Sequence, residues 1–93
     1  MQKLQNFFKS ITLENGINLR ENIFKVVKNH TKESIDYLIE SIHWFENLKI
    51  PTKEKESFIN ECTGSNFVST HYNILELLKT LKSHLCEIIL ELF

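Results

Sequence analysis

The sequence predicts an all-α domain, a compact bundle of four to five helices organised around a long C-terminal one. Three observations predict it. From Asn66 to Phe93 the apolar residues Phe67, Ile74, Leu78, Leu81, Leu85, Ile88 and Leu92, with His71 in the same register, recur at alternating spacings of three and four. That spacing holds them in one stripe when each residue turns the chain by about 100°. The same stretch contains no Gly or Pro, so it reads as a single uninterrupted rod of roughly 40 Å at about 1.5 Å rise per residue. The connections expected at 14–18, 30–32, 50–52 and 63–66 are short, which makes successive helices antiparallel neighbours.

The elements follow in order. Residues 1–13 carry Met1, Leu4, Phe8 and Ile11 at helical spacing with Phe7 beside them, and Asn15-Gly16 ends that first helix because both residues tolerate the left-handed backbone region. Asn18 then caps a second helix, with Glu21 placed three residues on to complete a capping box. Leu19, Ile23, Val26, Val27 and His30 share its inner face, and Arg20, Lys25, Lys28 and Lys32 lie toward solvent.

Thr31 caps the third helix, whose first turns carry Glu33 and Asp36 where the positive helix end favours anions. Its core stripe is Ile35, Leu38, Ile39, Ile42 and Phe45. On nearly the opposite side Tyr37, Ser41, Trp44 and Leu48 form a second line. A helix apolar on two faces is either sandwiched between neighbours or holds one face ready for a partner. Ile50-Pro51 stops it, since proline lacks an amide proton and disfavours a helical residue before it. Thr52 caps a short fourth helix bearing Phe58, Ile59 and Cys62, with Lys53-Glu54-Lys55-Glu56 a solvated charge run and Gly64 a left-handed terminator. Ser65 or Asn66 begins the last helix.

Length and composition narrow the function classes. The 93 residues make one domain, and a chain of this size buries about 60–65% of its unfolded surface. An apolar share of 42%, a charged share of 25% and a net charge of −1 describe an ordinary globule. That balance argues against nucleic-acid binding by bulk electrostatics, which needs a concentrated basic surface. Residues 1–30 are nonetheless mildly basic, with Lys3, Lys9, Arg20, Lys25 and Lys28 against Glu14 and Glu21. The N-terminus MQKLQNFFKS lacks the apolar core of a signal peptide. Leu85 to Phe93, the most apolar run, is broken by Glu87 and Glu91 and falls short of the ~20 residues of a membrane span. A cytoplasmic protein with two free cysteines, Cys62 and Cys86, is the expectation. The absence of alanine, with only two Gly and one Arg against ten Lys, eleven Ile and nine Asn, is the bias of an AT-rich gene and hints at a bacterial or phage origin.

No catalytic, metal or cofactor site is expected. His30, His43, Cys62, His71, His84 and Cys86 form neither a Cys-x-x-Cys nor a His-x-x-x-His pair, and the two ends of His84-Leu85-Cys86 point to different helix faces. No serine lies in a strand–turn–helix setting, and no Gly-rich loop is present to hold an oxyanion or phosphate. A helix-turn-helix around Glu61–Asn66 would offer Asn66, Ser69, Thr70 and Asn73 to a groove, but no Arg or Lys before Lys79.

What remains is recognition. The line of Tyr37 and Trp44 flanked by Glu33, Asp36 and Glu40 joins large aromatic contact area to carboxylates suited to a basic partner. Those five residues are the candidate partner-binding site, unless Tyr37 and Trp44 pack under the N-terminal helix or the 52–62 segment. Cys86, Leu90 and Phe93, with Leu75 and Ile89 at the margin, widen the apolar surface of the last helix enough for a homodimer, unless the first two helices cover it. The expected function is a small non-enzymatic protein-binding module that occludes a protein partner, of the immunity, antitoxin or phage-inhibitor kind. Its partner would be a toxin or nuclease with a basic surface. The alternative is a helical DNA-binding transcriptional regulator, dimeric through the C-terminal helix.

Overall fold

The computed structural model describes residues 2–14, 16–64, 68 and 73–93. The described residues form five helices and no strand: α1 (Gln2–Ser10), α2 (Leu19–Val27), α3 (Lys32–Glu46), α4 (Thr52–Thr63) and α5 (Ile74–Leu92). The all-α bundle with a long C-terminal helix is therefore as the sequence predicts.

The helix ends follow from identifiable side chains. The Asn18 side-chain oxygen accepts from the Glu21 amide at 3.0 Å, and the Thr31 hydroxyl accepts from the Ser34 amide at 3.1 Å. Both satisfy an orphan donor of a first turn. The Glu21 carboxylate does not complete the expected box; it lies 3.4 Å from Lys25 Nζ instead. Gly64 ends α4 at φ 73°, its amide donating to the Asn60 carbonyl. Thr52 is the first helical residue of α4 and Pro51 its cap, with no side-chain capping bond.

The rod expected from Asn66 is shorter. Asn73 is extended, with φ −76° and ψ 128°, and its side chain accepts from the amides of Leu75 and Glu76, so α5 starts at Ile74 and runs 19 residues. A cap of that geometry cannot lie inside a continuous helix. Phe67, His71 and the Ser65 or Asn66 start lie outside the described residues. The one described residue between Gly64 and the Asn73 cap, Val68, is buried, and its amide donates to the Asn60 side-chain oxygen at 3.3 Å.

α5 supplies the centre of the core through Ile74, Leu77, Leu78, Leu81, Leu85 and Ile88. The other helices cover it unequally. α3 lies antiparallel along it: Glu46 meets Lys82 at one end, while Asp36, Ile39 and Glu40 stand across a groove from Cys86, Ile89 and Leu90 at the other. α2 covers the opposite flank, where Arg20 reaches Glu91 at 2.6 Å and Glu87 at 3.5 Å. α1, α3 and α4 meet through the rings of Phe8, Phe45 and Phe58, whose centroids are 5.5–6.2 Å apart. Such tilted and edge-on contacts add to the area they bury.

Two expected placements change. His30 is exposed rather than on the inner face of α2, where Phe24 packs against the core instead. Lys55, expected in a solvated run, is only 6% exposed and donates to the Glu46 carbonyl at 2.8 Å. Its long apolar stem is what makes that burial tolerable.

Candidate functional site

The five predicted partner-binding residues all lie on α3, and the structure separates them from the core stripe of the same helix. Ile35, Leu38, Ile42 and Phe45 are buried, whereas Tyr37 is 45% and Trp44 49% exposed. Neither aromatic packs beneath α1 or α4 as a core residue. The cause is angular: Glu40 turns about 160° away from Ile42, and Tyr37 and Trp44 lie about 60° and 40° from Glu40 on one side. Ile39 and Ser41, at the borders between the two faces, are half-buried.

Tyr37, Glu40, Ser41 and Trp44 line an open notch of about 410 Å³. Lys3 of α1 borders it, with Nζ 5.1 Å from the centre of the Tyr37 ring. That distance is within the range in which an ammonium is attracted to an aromatic face. On the other side of Glu40 a second depression, of about 460 Å³, runs between α3 and α5 and is lined by Asp36, Ile39, Glu40, Cys86, Ile89 and Leu90. Glu40 is the ridge shared by both. The aromatic line of α3 and the exposed apolar end of α5 are consequently one continuous surface. The sequence offered them as two separate sites, since periodicity within each helix carries no information on how the two lie side by side.

The charges on this surface are unevenly matched. Asp36 is 3.0 Å from Lys32 Nζ, an exposed i,i+4 pair. Glu33 and Glu40 are exposed and make no ion pair among the described residues. At the far end of the groove Lys82 Nζ is 2.6 Å from Glu46 Oε1, and His43 Nδ1 is 3.9 Å from the same oxygen. Lys55 meets the Glu46 backbone from the α4 side, so the end of α3 is pinned to both α4 and α5. This polar junction was not visible in the sequence, because it joins Glu46 to residues 9 and 36 positions away in two other elements.

Phe93 follows directly on the last helix, and among the described residues it and Leu90 are the most exposed large apolar groups, at 62% and 83%. Leu75 and Cys86 are exposed as well, and Ile89 is half-buried. On the opposite flank of α5 the His84 ring and Arg20 hold the Glu87 carboxyl below the usual carboxylate range, the His84 hydrogen bond contributing most. The guanidinium of Arg20 is in turn held more firmly protonated by its hydrogen bond to Glu91. These groups are spent on holding α2 to α5.

Among the described residues no three His, Cys, Asp or Glu side chains gather to hold a metal ion. His84 bonds Glu87 at 3.2 Å, and Cys86 is exposed on another face. Cys62 is unpaired and partly buried, and that burial pushes its thiol pKa up, away from the reactive thiolate. Of the expected helix-turn-helix, residues 61–64 form the end of α4 and its left-handed stop, while Ser65, Asn66, Ser69 and Thr70 lie outside the described residues. No described helix is long and apolar enough to cross a membrane. No protein-family model, curated protein or solved structure matches the chain.

Proposed function

We propose that this chain is a small non-enzymatic binding protein that acts by occluding a protein partner, in the manner of an immunity protein, antitoxin or phage-encoded inhibitor. The reading includes a cytoplasmic location and a partner, a toxin or nuclease, with a basic surface. The observation that carries it is the exposure of Tyr37 and Trp44, side by side next to Glu40, on a helix whose other face is fully embedded. Two large aromatics held half out of a rigid element lose little entropy on docking, and they concentrate binding energy as interface anchors do. Glu33, Asp36 and Glu40 beside them supply charge of the sign a basic surface requires.

A comparative capture from the native host tests this reading. The wild-type chain and a Trp44→Ala, Glu40→Lys variant are used side by side as bait. A partner retained by the first and lost by the second is expected, with affinity reduced about 100-fold, in line with the loss of a central anchor and a charge contact. Equal capture by both would reject the site. In parallel, the chain should pass through heparin and duplex-DNA columns at low salt. Retention that fades with added salt would instead favour the DNA-binding regulator.

A further inference from the structure

We propose that the groove between α3 and α5 receives a basic amphipathic helical segment of the partner, with its apolar side against α5 and its cations against Glu33 and Glu40. This rests on the proposed function and specifies which part of a partner the surface takes.

The groove has two unlike walls. On the α3 side stand Asp36 and Glu40, directed away from the core stripe, and on the α5 side Cys86 and Leu90, with Ile39 and Ile89 half-buried between the walls. Exposed Glu33 and Phe93 continue the two rows beyond the lining, each at helical spacing. Because α3 and α5 run antiparallel, the acidic row from Glu33 to Glu40 and the apolar row from Cys86 to Phe93 descend together, each over about 10 Å. An occupant that satisfies both walls at once needs apolar groups along one side and cations along the next. Two to three turns of an amphipathic helix provide that pattern at the same pitch.

Charge decides between this occupant and a second copy of the chain. Lys32 already pairs with Asp36, and Lys82, one turn back along α5 from Cys86, is engaged with Glu46. Glu33 and Glu40 are left with no ion-pair partner among the described residues. A two-fold dimer built on this groove brings only a second copy of the same patch, whose described residues offer no unengaged cation, because an isologous contact uses the same surface on both subunits. Such a contact leaves Glu33 and Glu40 without a counter-charge, whereas a cationic helix relieves both carboxylates.

The probe is a fluorescently labelled peptide of about 18 residues made only of Leu and Lys in an amphipathic helical pattern, long enough to outspan the groove. Its glutamate-for-lysine counterpart is the control. Anisotropy titration should show saturable one-to-one binding of the basic peptide, weakened by salt, and none of the acidic one. Glu40→Lys and Leu90→Asp, both at exposed positions, should each weaken it at least about tenfold, while Glu54→Lys, the same charge change on α4, should leave it unaltered. Absence of binding below about 1 mM, or equal loss in all three variants, would overturn the groove assignment. So would a dimer of the free chain, seen by sedimentation, that Leu90→Asp dissolves. These outcomes are separable from the proposed function: the Trp44 and Glu40 capture experiment could still succeed with a partner that has no such helix.

Discussion

The third helix carries two apolar lines of nearly equal length, and the fold treats them in opposite ways. Ile35, Leu38, Ile42 and Phe45 are enclosed by α1, α4 and α5, while Tyr37 and Trp44 stand half in solvent about a third of a turn or more away. The difference between the lines lies in their chemistry. The enclosed line holds only hydrocarbon side chains, which have nothing to gain from water. Within α3 the open line is made of Tyr, Ser and Trp, each with a polar group that enclosure would have to satisfy. Leu48, which continues the line past the helix end and has no such group, packs against the core. A helix with one purely apolar face and one amphipathic face thus anchors itself with the first and leaves the second available.

The largest expected effect comes from the enclosed line. Ile42 is fully buried among the core residues. Ile42→Ala should lower unfolding stability by about 2–5 kcal/mol, the range for deleting a buried branched aliphatic side chain and leaving a cavity. Urea denaturation followed by circular dichroism measures it, and a loss near that of a surface substitution would break the contrast between the two lines.

A smaller effect is expected where the enclosed line ends. Lys55 bonds the Glu46 carbonyl, one of the last acceptors of α3 that the helix itself cannot satisfy. Lys55→Met keeps most of the buried stem and removes the donor, so the expected loss is about 1–2 kcal/mol, set by the stranded carbonyl. A neutral outcome in the same urea titration would mean that water takes over the carbonyl and that the junction is less closed than its 6% exposure suggests.

Much of this architecture was legible from periodicity and capping residues, and the places where it was not share a cause. The caps at Asn18 and Thr31 and the left-handed stop at Gly64 were readable because each depends on residues within four positions. The break at Asn73 was masked by the apolar stripe, which keeps its register from Phe67 through Ile74. The signal against a continuous rod was nevertheless present: Asn73 with Glu76 three residues later repeats the pattern that identified the start of α2. Lys55 was legible only in part. It shares the register of Phe58, Ile59 and Cys62, as Lys53 does not, but only the arrival of the end of α3 gives its ammonium an acceptor and so lets it be covered. The exposure of Tyr37 and Trp44 was likewise a tertiary matter, since either answer fits the spacing.

The smallest expected effect on stability belongs to Trp44, and it is the sharpest test of the contrast. Trp44→Ala removes the largest side chain on α3. The site has no cavity to leave behind, since half of the side chain already lies in water, and alanine is the better helix former by several tenths of a kcal/mol. The net change should be under about 1 kcal/mol, well below that of Ile42→Ala although more atoms are lost. Tryptophan fluorescence of the wild type provides an independent readout, because Trp44 is the sole tryptophan. Its emission should lie toward that of a solvated indole in the free protein and shift to the blue as a partner covers it. If Trp44→Ala instead destabilised the fold as much as Ile42→Ala, the aromatic line would be a second core face, and the selection of α3 as the recognition helix would lose its physical basis.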